Sequence, residues 1–407
     1  MWRFRAWRES EPMKITAYRS LETLHDFGRP IGDVNGIIES GVTEVPILLL
    51  TTDEGITGVG LGDHSEIDRV FDAIEGQDPR AVSALYDRML AYVFKTGHAG
   101  KTFGTIGAID MALWDLKAKI NDEPLWRTLG GADRFVPGYA SGLCYGLDDD
   151  GLTTLYTAFS DRGFSSAKLK GGLDIDKDIQ RLTLVREILK RNSPRPAMMF
   201  DANEAWNRKQ AIRNVAEIEK TIDLTWIEEP VRRWDAEGLA AVSRSVRAAV
   251  ATGENLTGLE QYTPLFMAGA VDIVQAGNVW GITHFLRTAM AAHAHNLPVS
   301  PVGYSANPLV HAATAIPNLL TVEIQALGFP IGMKVDQQFV DGGVVLGDAP
   351  GLGIEIDEAL LVASQKVRAG SLATGPHVRP SRAGLRLVPE DTSPSKGGPS
   401  VRVSSHV

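Results

Sequence analysis

From Val136 onward the chain repeats one unit eight times: a short apolar run followed by a stretch with helical spacing. The runs fall at 136–142, 167–172, 196–203, 224–230, 248–255, 271–277, 297–303 and 320–325, starting 23 to 31 residues apart. Apolar strands alternating with helices imply βαβ units and a parallel sheet, because a parallel neighbour is reached only by a crossover connection. Eight repeats of about 25 residues fit a closed (β/α)8 TIM barrel. A doubly wound sheet more often carries a Gly-rich first turn, which is absent here. The expected fold class is therefore α/β.

The region 13–135 reads differently. Pro46-Ile47-Leu48-Leu49-Leu50-Thr51-Thr52, then Asp53-Glu54-Gly55, then Ile56-Thr57-Gly58-Val59-Gly60-Leu61-Gly62 form a hairpin pattern around an acidic-Gly turn. Helices follow, the strongest over 106–120, where Ile109, Leu113 and Leu116 recur at helical spacing and Gly130-Gly131 mark a stop after Leu129. This is an α+β lobe ahead of a barrel over 136–330. Residues 331–368 are turn-rich, as in Asp341-Gly342-Gly343 and Pro350-Gly351-Leu352-Gly353. Residues 369–407, rich in Ser, Pro, Gly and Arg, read as a disordered tail. Residues 1–12 read as an N-terminal extension, and Met13 is a candidate natural start.

Charge narrows the partners. The formal charge is -9 without basic blocks, which leaves no electrostatic footprint for nucleic acid or an anionic membrane and points to small molecules or copies of the chain itself. The longest apolar candidate, 45–50, stops at Thr51-Thr52-Asp53, far short of the roughly 18 residues that span a bilayer. Residues 1–8 are basic but lack an apolar core and a cleavage site, so they do not read as a signal peptide. The single cysteine, Cys144, excludes an intrachain disulfide framework and a cysteine metal cluster, which suits the cytoplasm.

In a TIM barrel the chemistry sits at the C-terminal ends of the strands. Strand three ends Met199-Phe200-Asp201-Ala202-Asn203, strand four ends Trp226-Ile227-Glu228-Glu229-Pro230, and strand five ends Ala251-Thr252-Gly253-Glu254-Asn255. Each spacing is one βα unit, so Asp201, Glu228 and Glu254 are expected to converge. Converging carboxylates repel, and an oxygen-only set of three charges is resolved by a hard cation such as Mg2+. The alternative is three isolated acids, each paired with a lysine or a helix N-terminus. Strand two ends Ala167-Lys168-Leu169-Lys170-Gly171, and alternation puts both lysines on one face. Neighbouring ammonium groups near a metal lower each other's pKa, and a lysine depressed toward neutrality can act as a general base. Charge neutralisation alone is the competing role. Glu323 in Val322-Glu323-Ile324 reads either as a protonated acid donating to an enolate oxygen or as a structural partner. His311, His293 and His295 read as structural.

These residues resemble the enolase superfamily, specifically its mandelate racemase/muconate lactonizing enzyme-like subgroup. The resemblance runs from Met13 to about Ala363, through Ala108-Ile109-Asp110-Met111-Ala112-Leu113-Trp114-Asp115-Leu116-Lys117 and the Leu129-Gly130-Gly131 stop. It implies a modified (β/α)8 barrel capped by an α+β domain, with 331–368 returning to the cap. It further implies one Mg2+ and abstraction of the proton alpha to a substrate carboxylate. On motif position it makes Asp201, Glu228 and Glu254 the metal ligands, Lys170 the base with Lys168 beside it, and Glu323 the acid on the carboxylate. Ser141 and Asn203 become supporting polar groups. Metal, Lys168 and Glu323 would stabilise an enediolate by electrostatics. Family habit also implies a homo-oligomer.

The subgroup usually carries an aspartate after strand six and a histidine after strand seven as a second acid/base. Here Gly277 and Val302 occupy those positions. A two-base racemase suffers more from that loss than a dehydratase using Lys170. The leading expectation is thus a lyase that dehydrates an aldonate or aldarate to a 2-keto-3-deoxy acid. A racemase, epimerase or cycloisomerase is the second reading, and a non-catalytic binding relative the third. Tyr304, Asn278, Trp280 and His25, the last from a mobile-looking loop over 25–30, are candidates to assist the leaving group.

Overall fold

The computed structural model describes residues 13–95, 99–303 and 306–364. Tyr304, the extension 1–12 and the tail 369–407 lie outside the described residues, as do 365–368 of the returning segment.

Eight parallel strands stand in sequence order: Phe135–Ser141, Ser166–Lys170, Ala197–Asp201, Leu224–Glu228, Ala249–Thr252, Ile273–Gly277, Val299–Val302 and Val322–Ile324. The eighth pairs with the first, Glu323 beside Tyr139, and a bridge between Val299 and Leu319 joins the seventh to the approach of the eighth. Alternation divides each strand between two surroundings. Leu169, Phe200 and Ile227 face the outer helices and join the main core. Tyr139, Met199, Trp226, Ala251 and Ile273 form a separate inner cluster, with the Tyr139 and Trp226 rings edge to face at 5.2 Å. The barrel interior is therefore packed, and Asp201 and Glu228 each stand two residues beyond one of these apolar plugs.

Helices cover the outside at Asp149–Ser160, Ile175–Leu189, Arg208–Ile218, Ala236–Ser243, Leu259–Ala268, Ile282–Ala294 and Leu309–Ala313. Four begin on acceptors placed by the sequence: Asp148, Asp174 and Asp235 each accept a backbone N–H three residues on, and Asn207 forms a full capping box with Gln210. The expected eighth repeat is incomplete. Strand eight is followed by Gly328, Pro330 and Gly332, which interrupt any helix, and then by antiparallel strands, of which Gly343–Leu346 pairs back onto strand one.

Before the barrel, strands Ile15–Asp26, Val42–Thr52 and Thr57–Leu61 form an antiparallel sheet backed by helices Val82–Tyr92 and Gly100–Ile120. The long helix starts six residues earlier than its apolar period suggested. Gly60 is required there, since a Cβ would lie 2.0 Å from the Ala108 carbonyl oxygen. The last helix, Glu358–Ser364, returns to this sheet through an Arg19–Glu358 ion pair of 2.7 Å, and Ile331 N donates to Leu24 O at 2.8 Å.

The long helix also locks the cap to the barrel. Buried Asp110 accepts from Thr283 N at 2.7 Å and from its hydroxyl at 2.5 Å, and Trp114 Nε1 donates to the same hydroxyl at 2.9 Å. Burial pushes Asp110 up to about 6, against the opposing pull of Thr283. Replacing Asp110 by Ala strands the Thr283 N–H in an apolar seam, a loss of about 2–3 kcal/mol. Urea unfolding of the variant should show that decrease; a change below about 0.5 kcal/mol, the range of ordinary surface substitutions, would mean the seam does not depend on it.

Candidate active site

Register brings the strand-end residues together. Lys170 is opposite Asp201 and Asp201 opposite Glu228, so three charged side chains line up across strands two, three and four. Ser141 ends strand one opposite Lys168. Glu254 arrives differently. Its strand ends at Thr252, and Gly253, at φ 128° with Gln275 O only 2.4 Å from a would-be Cβ, makes the turn that carries Glu254 onward.

Lys168 is fully enclosed by acids: its Nζ lies 2.5 Å from Glu228 Oε1, 3.0 Å from Glu323 Oε1 and 3.6 Å from Asp201 Oδ2. Lys170 Nζ donates directly to Asp201 Oδ2. Asp201 Oδ1 accepts from Asn203 N at 2.8 Å, and the Asn203 carbonyl accepts from Asn35 of the cap at 3.3 Å. Glu228 Oε2 accepts from Gln275 Nε2 at 2.7 Å and Trp226 Nε1 at 3.1 Å. Among the described residues no three acidic or histidine side chains stand arranged to ligate one ion as placed; the Lys168 ammonium lies on Glu228 and that of Lys170 on Asp201.

Burial would lower both lysines, but the carboxylates outweigh it. Glu228 and Glu323 hold Lys168, and Asp201 holds Lys170, above the ordinary lysine range. Lys168 does lower Lys170, as two adjacent ammonium groups are expected to, but with no cation among the acids Asp201 outweighs it. Burial would also raise Asp201, yet Lys170 and Lys168 keep it below its usual value. Burial and the Asp201 charge push Glu228 up to about 8, and burial raises Glu254. The donor set is oxygen-only, with Asp201 and Glu228 buried and Glu254 half-buried, and it holds more carboxyl groups than two lysines can pair, which fits a hard divalent cation.

Three participants escaped the sequence reading. Glu229 faces away if strand four stays extended, but its φ of 40° turns the backbone, and Asn255 Nδ2 reaches both Glu229 Oε1 at 3.2 Å and Glu254 Oε1 at 3.0 Å. Burial and the Glu254 charge hold Glu229 well above the carboxylate range. Trp226 was findable, two residues before Glu228 and so on its face. Gln275 was not, since an amide in an apolar strand carries no charge signal.

The remaining candidates divide. The Ser141 hydroxyl is buried without a hydrogen-bond partner among the described residues, as is Asn278 Oδ1. Trp280 Nε1 donates to the Glu254 carbonyl at 2.6 Å, and its ring lies 5.8 Å from Phe103 of the long cap helix. A Cβ at Gly277 would meet that carbonyl at 2.6 Å and the Trp280 indole at 3.2–3.3 Å. Trp280 thus packs against the Gly277 position. His25 is corrected from a mobile loop to the buried end of the first cap strand, stacked on Phe27 at 4.2 Å; burial pulls it down to about 4. The turn beyond it is hydrogen-bonded, with Gly28 N on Asp26 Oδ1 at 2.7 Å and Phe27 N on Gly41 O at 2.9 Å. His311 is buried within its short helix, and burial pulls it down to about 4.

Residues 153–360 match the model of the enolase C-terminal domain-like family, and residues 40–130 match that of the mandelate racemase/muconate lactonizing enzyme N-terminal domain. A 3,6-anhydro-alpha-L-galactonate cycloisomerase of Streptomyces coelicolor is 33% identical over 69% of this chain and 78% of its own length. An L-talarate/galactarate dehydratase of Salmonella typhimurium is 30% identical over 81% of this chain and 85% of its own. Among solved structures, a Streptomyces coelicolor racemase with bound magnesium superposes with a TM-score of 0.78 at 28% identity, over 86% of this chain and 99% of that one.

Proposed function

Because the chain belongs to the mandelate racemase/muconate lactonizing enzyme family of the enolase superfamily, we propose that it is a Mg2+-dependent lyase that dehydrates an acid sugar to a 2-keto-3-deoxy acid. Asp201, Glu228 and Glu254 hold the cation in this reading. Bound there, Mg2+ supplies the positive charge that these acids otherwise draw from the lysines, and it offsets charge developing on the substrate carboxylate.

Lys170, no longer engaged with Asp201, takes the proton from the carbon alpha to the carboxylate. Lys168 and Glu323, 3.0 Å apart, hold the carboxylate oxygens as the C–H electron pair moves onto them. Those electrons then form the C=C bond as the beta C–O bond breaks, and the hydroxyl departs as water with the proton that Lys170 carries. Return of the proton from the same lysine is favoured by Gly277 and Val302, which put no titratable group on the facing strand ends among the described residues. The enol product ketonises. Ser141 and Asn203 orient the substrate.

One observation carries this reading: a lysine held directly on one acid of a buried strand-end carboxylate set, with a second lysine–glutamate pair beside it. Incubation with Mg2+ and a panel of aldonates and aldarates should yield keto acid. Silence across the panel would remove the dehydratase reading. The same single-lysine geometry favours a cycloisomerisation as the second reading, in which the beta oxygen that leaves belongs to a ring and stays in the molecule. A keto acid isomeric with its substrate, formed from a cyclic acid without loss of water and carrying solvent deuterium on the carbon that lost the oxygen, would select it.

A further inference from the structure

Two neutral donors close on one oxygen of Glu228. Gln275 Nε2 lies 2.7 Å and Trp226 Nε1 3.1 Å from Oε2, while Lys168 Nζ lies 2.5 Å from Oε1. Strand alternation aims both donors. Trp226 stands two residues before Glu228 on strand four, and Gln275 two residues after Ile273 on strand six; Trp226 and Ile273 both belong to the inner apolar cluster. Gln275 and Trp226 are buried. An amide in such surroundings is costly unless it is paired. Gln275 Oε1 has no hydrogen-bond partner among the described residues, so the contact with Glu228 is what places this side chain. The orientation of the amide follows, since the reverse would set its oxygen against a carboxylate oxygen.

A carboxylate oxygen carries two lone pairs. With two donors on it, Oε2 has neither left for a cation, whereas Oε1 keeps one beside Lys168. The other acids show the same arrangement in part: Asn203 N donates to Asp201 Oδ1 at 2.8 Å, and Asn255 Nδ2 to Glu254 Oε1 at 3.0 Å. A cation arriving at these acids repels the ammonium groups, because like charges oppose one another. Gln275 and Trp226 carry no charge and have no such reason to leave. Glu228 is thereby restricted to one ligating oxygen, and the restriction weighs differently on two common cations. Mg2+ takes single oxygens at about 2.0–2.1 Å in a near-ideal octahedron, whereas the larger Ca2+ takes about six to eight oxygens and accepts both oxygens of one carboxylate.

We infer that Gln275, supported by Trp226, is a positioning residue that makes Glu228 a one-oxygen ligand and so selects Mg2+ over Ca2+. This rests on the assignment of Glu228 to the cation above and adds how the ion is chosen. Titration calorimetry of the full chain without substrate, with MgCl2 or CaCl2 as titrant, reads both affinities in wild type, Gln275→Met and Trp226→Phe. Wild type should bind Mg2+ more tightly than Ca2+. The nearly isosteric Gln275→Met should lower Mg2+ affinity by about tenfold or more, the usual effect of removing a donor that holds a metal ligand. Ca2+ should lose less or gain, because the freed Oε2 can join Oε1 on the larger ion. Trp226→Phe keeps a ring against Tyr139 and removes only the more distant donor, so the Mg2+/Ca2+ affinity ratio should fall in the same direction by less. A merely structural role for Gln275 would weaken both cations equally and leave the ratio unchanged. Equal losses for the two cations, a ratio unchanged in both variants, or a wild type that prefers Ca2+ overturns the inference and leaves Glu228 a ligand. If wild type binds neither cation, or Glu228→Gln keeps full affinity for both, the assignment beneath it fails and the inference with it. Should Gln275→Met not fold, Trp226→Phe decides alone by whether the ratio falls.

Discussion

Replacing Lys170 by Ala should abolish deuterium exchange at the alpha carbon and reduce turnover by about 10²–10⁴-fold or more, the usual contribution of a positioned general base. The side chain has two possible duties, and the ion pair with Asp201 makes both visible. One is to neutralise a buried carboxylate, the other to carry a proton. Lys170→Arg separates them, because a guanidinium keeps the charge beside Asp201 but does not give up its proton. If the proton transfer is right, both variants lack exchange in the presence of Mg2+ and only Ala disturbs the charge balance. Exchange restored by Arg would leave Lys170 a counter-ion and the reaction without its base.

The second large effect concerns the acids. Wild type at a hundredfold excess of Mg2+ over its dissociation constant should gain about 2.7 kcal/mol of apparent stability, read as a rise in melting temperature that EDTA reverses. Asp201→Asn removes one of three carboxylates and frees Lys170 from its partner, so the Mg2+-dependent rise should shrink to near zero and activity should vanish with it. A variant that keeps the full Mg2+ shift would mean that the cation sits elsewhere. Salt controls matter little here, because Asp201 and Glu228 are buried and Glu254 half-buried, where screening is weak.

The sequence made the barrel and most of the acid cluster legible for the same reason: a strand of five residues with a charge at its far end leaves little freedom in where that charge points. Asp201, Glu228, Lys168 and Lys170 all obey that rule. Glu229 broke it because one left-handed residue reverses the alternation, and a φ angle has no signature in the letters Glu-Glu-Pro. Glu254 was placed on the correct strand end, but by a turn through Gly253 and not by strand register. Spacing revealed the neighbouring lysine but hid how closely the carboxylates approach each ammonium. Asp110 was legible only as part of a family phrase; that it bonds Thr283, far along the chain, follows from docking geometry that periodicity does not encode.

The Trp280 turn joins two parts of the molecule that are usually considered separately. Its indole hydrogen-bonds the backbone of Glu254, its ring lies near Phe103, and next to it Val279 O would lie 2.4 Å from any Cβ on Gly107 of the long helix. A ligand that steadies Glu254 therefore steadies the seat of that helix, to the extent that the turn transmits the restraint. In the proposed reading, where Glu254 holds the cation, thermodynamic reciprocity requires the converse in equal measure: whatever seats the long helix more firmly tightens the grip on the ion.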